Sequence, residues 1–100
     1  MTAWKATERK VAAILGGERV PVTGRQRGSA PDIAHSIWSI EVKHRKALPE
    51  WIHDAMSQAR ASIRGEQTPI VILHENGMRH ADNYVVMRLA DFQALLGETK

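Results

Sequence analysis

The sequence predicts an α/β (α+β) fold in which helices flank a central mixed β-sheet, with elements in the order αβββαββα. Three observations predict it. Apolar residues recur at helical spacing over residues 3–15 and again over 48–64; apolar and polar residues alternate with a period of two over 37–43; and an unbroken apolar run, Ile70-Val71-Ile72-Leu73, is bounded by turn signals.

The first helix carries Trp4, Val11, Ala12, Ile14 and Leu15 on one stripe, and Gly16-Gly17 stops it. Glu8 follows Trp4 by four residues and precedes Val11 by three, which sets a carboxylate on the edge of that stripe, where it needs a partner. Val20 and Val22 alternate with polar neighbours as a short strand, and Thr23-Gly24-Arg25-Gln26-Arg27-Gly28-Ser29 is a basic loop. Pro31-Asp32-Ile33-Ala34 and Ile37-Trp38-Ser39-Ile40-Glu41-Val42-Lys43 form two strands around a His35-Ser36 turn.

Leu48, Trp51, Ile52, Ala55, Met56, Ala59 and Ile63 make the stripe of a second helix, with Pro49 in its first turn. The run over 70–73, between Pro69 and Glu75-Asn76-Gly77, suits a strand buried on both faces at the centre of the sheet. A last strand spans 83–89 around Tyr84-Val85-Val86-Met87, and Asp91 caps a short closing helix that runs to Leu96 before Gly97.

At 100 residues the chain has the length of one domain, and its 43% hydrophobic and 25% charged residues exclude disorder and fibrous repeats. There is no apolar run long enough to span a membrane, no secretory leader pattern at the start and no cysteine, so a cytoplasmic protein without disulfides or thiolate metal sites is expected. The net charge of +3 is modest. Its distribution says more: Arg19, Arg25 and Arg27 stand in a stretch without acids, and Lys43, Arg45 and Lys46 surround His44. Both patches are suited to phosphates, or to plain solvation.

Alternation puts Ile37, Ser39, Glu41 and Lys43 on one strand face, with Trp38, Ile40, Val42 and His44 on the core face. A tight turn at His35-Ser36 pairs Ala34 with Ile37 and Asp32 with Ser39, so Asp32 joins Glu41 and Lys43 on one face. Asp32 and Glu41 are then diagonal neighbours, about 7 Å or less apart at Cβ, near enough to share one cation. Hard carboxylate oxygens suit Mg2+ or Mn2+. Lys43 would orient or deprotonate a water and offset charge at a phosphorus centre. An E-x-K or a Pro-Asp alone is common; the weight lies in their combination with a Glu-bearing helix before them and a long amphipathic helix after.

Gly28-Ser29-Ala30-Pro31-Asp32 followed by Ile40-Glu41-Val42-Lys43 resembles the signature of the PD-(D/E)XK nuclease superfamily. The stretch from Gly28 to about Leu73 is similar to small phage-encoded nucleases and to Holliday-junction-resolvase-like members. The resemblance implies a restriction-endonuclease-like core, a divalent metal on Asp32 and Glu41 assisted by the Val42 carbonyl, and a catalytic Lys43. Glu8 matches the first-helix acid that many resolvase-like members use as a further ligand, and equally suits a salt bridge to a nearby Lys or Arg. Gln58 matches a glutamine on the helix after the E-x-K strand, a position that is also simply solvated in many helices. Arg25, Arg27, Arg45 and Lys46 would grip the DNA backbone.

The five histidines contain no His-Glu-x-x-His pair and are read as structural. Trp38 and Trp51 are read as packing residues, and Trp4 as packing or terminal. The expected activity is metal-dependent hydrolysis of DNA phosphodiesters in branched DNA by a C2 homodimer. A nickase or flap nuclease of phage replication or repair, and a non-cleaving DNA-binding module, are the alternatives.

Overall fold

The structure is a computed structural model that describes residues 3–21 and 31–98. Among the described residues it is a mixed α+β chain with three α-helices and two small antiparallel sheets. Its contacts divide it into two compact units, Met1–Lys46 and Ala47–Lys100, each with one two-stranded sheet. Among the described residues no helix is long and apolar enough to cross a membrane.

In the first unit α1 spans Ala3–Leu15, as its apolar spacing predicts, and buries Glu8 and Ala12. Gly16 ends it at φ +79°, a conformation that β-carbons disfavour. Gly17 then lets the chain press against the sheet: a Cβ there would lie 2.6 Å from the Ala34 carbonyl oxygen and 2.7 Å from Ile33 Cγ2. This close approach brings β1 (Glu18–Arg19) beside β2 (Ile33–Ala34), with Glu18 opposite Ala34 and Arg19 opposite Ile33. The Val20 amide donates to the Asp32 carbonyl at 2.9 Å and carries the pairing one residue further. Ile33, with no exposed surface, is the centre of this small core. Val22 and the basic loop over 23–29 lie outside the described residues.

The expected hairpin differs in register. Ile33 faces Ile40 through a single antiparallel bridge, whereas a turn confined to His35-Ser36 would set Ile33 opposite Trp38. The shift is two residues, so side-chain parity is kept at the bridge itself. Past Ile40 the expected alternation fails, since Val42 and His44 line the same cleft as Lys43 and Glu41 does not. The cause of the shift is His35. The ring Nδ1 accepts the amides of Ile37, at 3.0 Å, and Trp38, at 3.2 Å, so Nε2 carries the proton and donates to the Leu15 carbonyl at 2.9 Å. One imidazole thus widens the turn and satisfies a carbonyl at the end of α1. Beyond Ile40 the chain over 41–45 forms no ladder.

In the second unit α2 spans Glu50–Ala61, and Pro49 stands at its N-cap in extended conformation, one position earlier than expected. α2 packs on β3 (Val71–Leu73), which pairs with β4 (Tyr84–Val86) with Ile72 opposite Val85. The expectation of a central strand buried on both faces is corrected: among the described residues β3 pairs with β4 alone, and Ile72 is 51% exposed. A short 3-10 helix, His80–Asp82, lies between the two strands. Trp51, expected to pack, is 56% exposed. Trp38, in the first unit, is half-buried.

The last helix, α3, spans Leu89–Glu98, beginning before Asp91 and running through Gly97. Asp91 therefore sits in its first turn, where a carboxylate complements the helix dipole, instead of capping it. Arg88 holds that carboxylate through Nε, at 3.1 Å, and Nη2, at 3.2 Å. This hydrogen bonding and the adjacent negative charge raise the guanidinium pKa above its ordinary value.

Candidate functional site

α1 and the chain around Asp32 and 42–45 enclose a cleft of about 270 Å³ in the first unit, lined by Trp4, Glu8, Asp32, Val42, Lys43, His44 and Arg45. Two of these residues are buried acids, Glu8 at 3% exposure and Asp32 at 9%. Buried carboxylates survive only when compensated, and each has compensation.

Glu8 Oε1 accepts from Arg19 Nε at 2.7 Å, in a pair whose side chains are 13% (Arg19) and 4% (Glu8) exposed. The guanidinium reaches Glu8 because β1 runs back along α1 after the two-glycine turn. Arg19 Cζ also lies 5.6 Å from the centroid of the Trp4 ring, close enough for a cation–π contact. Its Nη2 is buried and has no hydrogen-bond partner among the described residues.

Asp32 Oδ2 accepts the Val42 amide at 2.6 Å, and its own amide donates to the Ile40 carbonyl at 3.1 Å. The carboxylate thus takes a backbone donor that a regular ladder would have used. This side-chain bond pulls Val42 and Lys43 against the cleft. His44 fastens the same segment to α1. Thr7 Oγ1 donates to the Ala3 carbonyl at 3.1 Å, so it accepts from His44 Nδ1 at 2.7 Å.

The fold therefore brings Glu8, Asp32, Val42 and Lys43 to one cleft, with Arg45 in its lining. Glu41 is exposed and does not line it. Lys46 is exposed at the end of the unit, and Gln58 is exposed on α2 of the other unit. Arg25 and Arg27 lie outside the described residues. Sequence reasoning missed Arg19 as the partner of Glu8, His44 as a lining residue and His35 as the turn-former. The first had a signal, since a Lys or Arg partner for Glu8 was one expectation; the bonds that tie His35 to Leu15 and His44 to Thr7 had none, because they join residues 20 and 37 positions apart in the chain.

Among the described residues no three His, Cys, Asp or Glu side chains converge into a group that could hold a metal ion. A cation in this cleft would have two carboxylates, Glu8 and Asp32, with backbone oxygen and water for the rest. Mg2+, which keeps several waters and takes one or two carboxylates, fits such a hard-oxygen set. The cationic groups Lys43 and Arg45 suit an oxyanion such as a phosphate beside it. No family model, curated protein or solved structure matches the chain.

Proposed function

We propose that the chain is a divalent-metal-dependent DNA endonuclease of the PD-(D/E)XK kind, with a restriction-endonuclease-like core, acting on branched DNA as a C2 homodimer. The observation that carries this reading is the shared cleft, in which Glu8, Asp32, Val42 and Lys43 stand together with Arg45. A neutral or purely acidic lining would not support it. Two carboxylates beside two cationic side chains suit a cation and a phosphate held side by side.

Bound at Glu8 and Asp32, Mg2+ or Mn2+ would supply Lewis-acid stabilisation of charge on a phosphodiester. The chain's own groups do the rest. Asp32 is oriented by the Val42 amide, which removes one rotational freedom from the ligand. Lys43 orients the attacking water and offsets charge on the phosphoryl oxygens. Arg45 and Lys46, with Arg25 and Arg27, hold flanking phosphates.

A second reading, a DNA-binding module that does not cleave, is favoured by one observation: Glu41 stays exposed, outside the cleft. The two separate in one experiment. End-labelled four-way junction, duplex and single-stranded DNA are incubated with the protein in Mg2+ or Mn2+, with Lys43→Ala alongside. The nuclease cuts the junction preferentially, loses all cutting in EDTA and loses about 100-fold or more in the variant. Binding to the junction without cutting in either metal would reverse the order of the two readings.

A further inference from the structure

Arg19 is the buried charge that the proposed chemistry leaves without a task. Its guanidinium sits behind the cleft wall, paired to Glu8 through Nε and placed against Trp4, with the Nη2 donor buried and unspent among the described residues. Counting it, three cationic groups, Arg19, Lys43 and Arg45, stand against the two carboxylates of the cleft. Such a balance repels a free divalent cation. It becomes favourable once a phosphate contributes negative charge.

We propose that Arg19 couples cation binding to phosphate binding in this cleft. In the free protein its charge is spent on Glu8, which makes the cleft a poor cation site. A phosphate oxygen of a nucleic-acid strand entering the cleft engages the unspent Nη2 donor and draws the guanidinium off Glu8, whose carboxylate then serves the cation. By reciprocity the cation tightens phosphate binding by the same factor. Arg19 is in this sense a positioning residue, acting through Glu8. The inference rests on the nuclease reading for the identity of the cation site.

The test is Mn2+ binding followed by electron paramagnetic resonance, with and without a phosphorothioate dinucleotide that resists cleavage. Wild type binds Mn2+ weakly alone and about 10-fold or more tighter with the dinucleotide, within the usual range of coupling between sites. Arg19→Met binds Mn2+ alone more tightly than wild type and shows no coupling. Because that change removes the Arg19 ion pair of a buried carboxylate, folding is checked by circular dichroism, and Arg19→Lys is measured in parallel. The lysine keeps the charge but lacks Nη2, so weak binding of Mn2+ alone persists while the coupling falls. Equal Mn2+ affinity with and without dinucleotide in wild type overturns the coupling and leaves the metal site standing. Absence of Mn2+ binding under both conditions removes the metal site and the coupling together.

Discussion

His35 shows how one side chain sets the geometry around the cleft. Its ring accepts two backbone amides and donates to the last turn of α1, so it replaces three hydrogen bonds that neighbouring backbone would otherwise have to supply. Removing it leaves the part-buried Trp38 amide and Leu15 carbonyl, with the exposed Ile37 amide, to find other partners, at a cost of about 1–3 kcal/mol. His35→Ala is therefore expected to lower the urea midpoint with an unchanged slope. A stability equal to wild type would mean that water takes over all three bonds. Glu8 and Asp32 follow the same logic with charge added: each is buried, and each is held by a donor that arrives from elsewhere in the chain, Arg19 in one case and the Val42 amide in the other.

Among the elements, the junction between α1 and β1 decides whether these donors arrive. Gly16 turns the chain, and Gly17 allows β1 to approach β2 closer than a side chain permits. Gly17→Ala sets its Cβ against backbone atoms of Ala34, which cannot rotate away, and against Ile33, the one fully buried large side chain among the described residues. The expected loss is about 1–3 kcal/mol of stability, as for other overpacked sites, measured by thermal or urea unfolding. Because β1 carries Arg19, a displaced β1 also weakens the Glu8 pair. A neutral Gly17→Ala would show that β1 and β2 separate without consequence. α1 itself, with its stripe and its glycine stop, is legible residue by residue in the sequence. The strand over 37–43 is not: among the described residues only Ile40 is bridged, and Asp32 takes the Val42 amide with its side chain.

For the whole molecule the unsatisfied surface matters most. In the second unit α2 buries no residue fully, and Trp51, Ile72, Tyr84 and Val85 are each more than half exposed. Ile72 and Val85 are cross-strand partners and so share one face of the sheet, and apolar surface exposed there marks an interaction face. Under the proposed function it is the face on which a second copy packs, since symmetric cutting of a junction needs two sites. Size-exclusion chromatography with light scattering is expected to give twice the mass of 11.2 kDa at micromolar concentration. A monomer, with Ile72→Ser unaltered in elution, would exclude this dimer.

What the sequence by itself determined are the features that rest on near neighbours: the extent of α1, its glycine stop, the existence of α2, and the strands around 71–73 and 84–86. Helical spacing and turn chemistry act over a few residues, so periodicity reports them directly. Asp32 and Lys43 do line one cleft, but strand alternation does not account for it: the consecutive residues Val42, Lys43, His44 and Arg45 all line it while Glu41 does not. Only the tertiary structure decided that Glu8 pairs with Arg19, that His35 reaches the end of α1, and that Glu41 stays outside the cleft while His44 lines it. Each of these depends on a hydrogen bond or packing contact set by where the backbone carries distant residues, a quantity that no local pattern in the chain encodes.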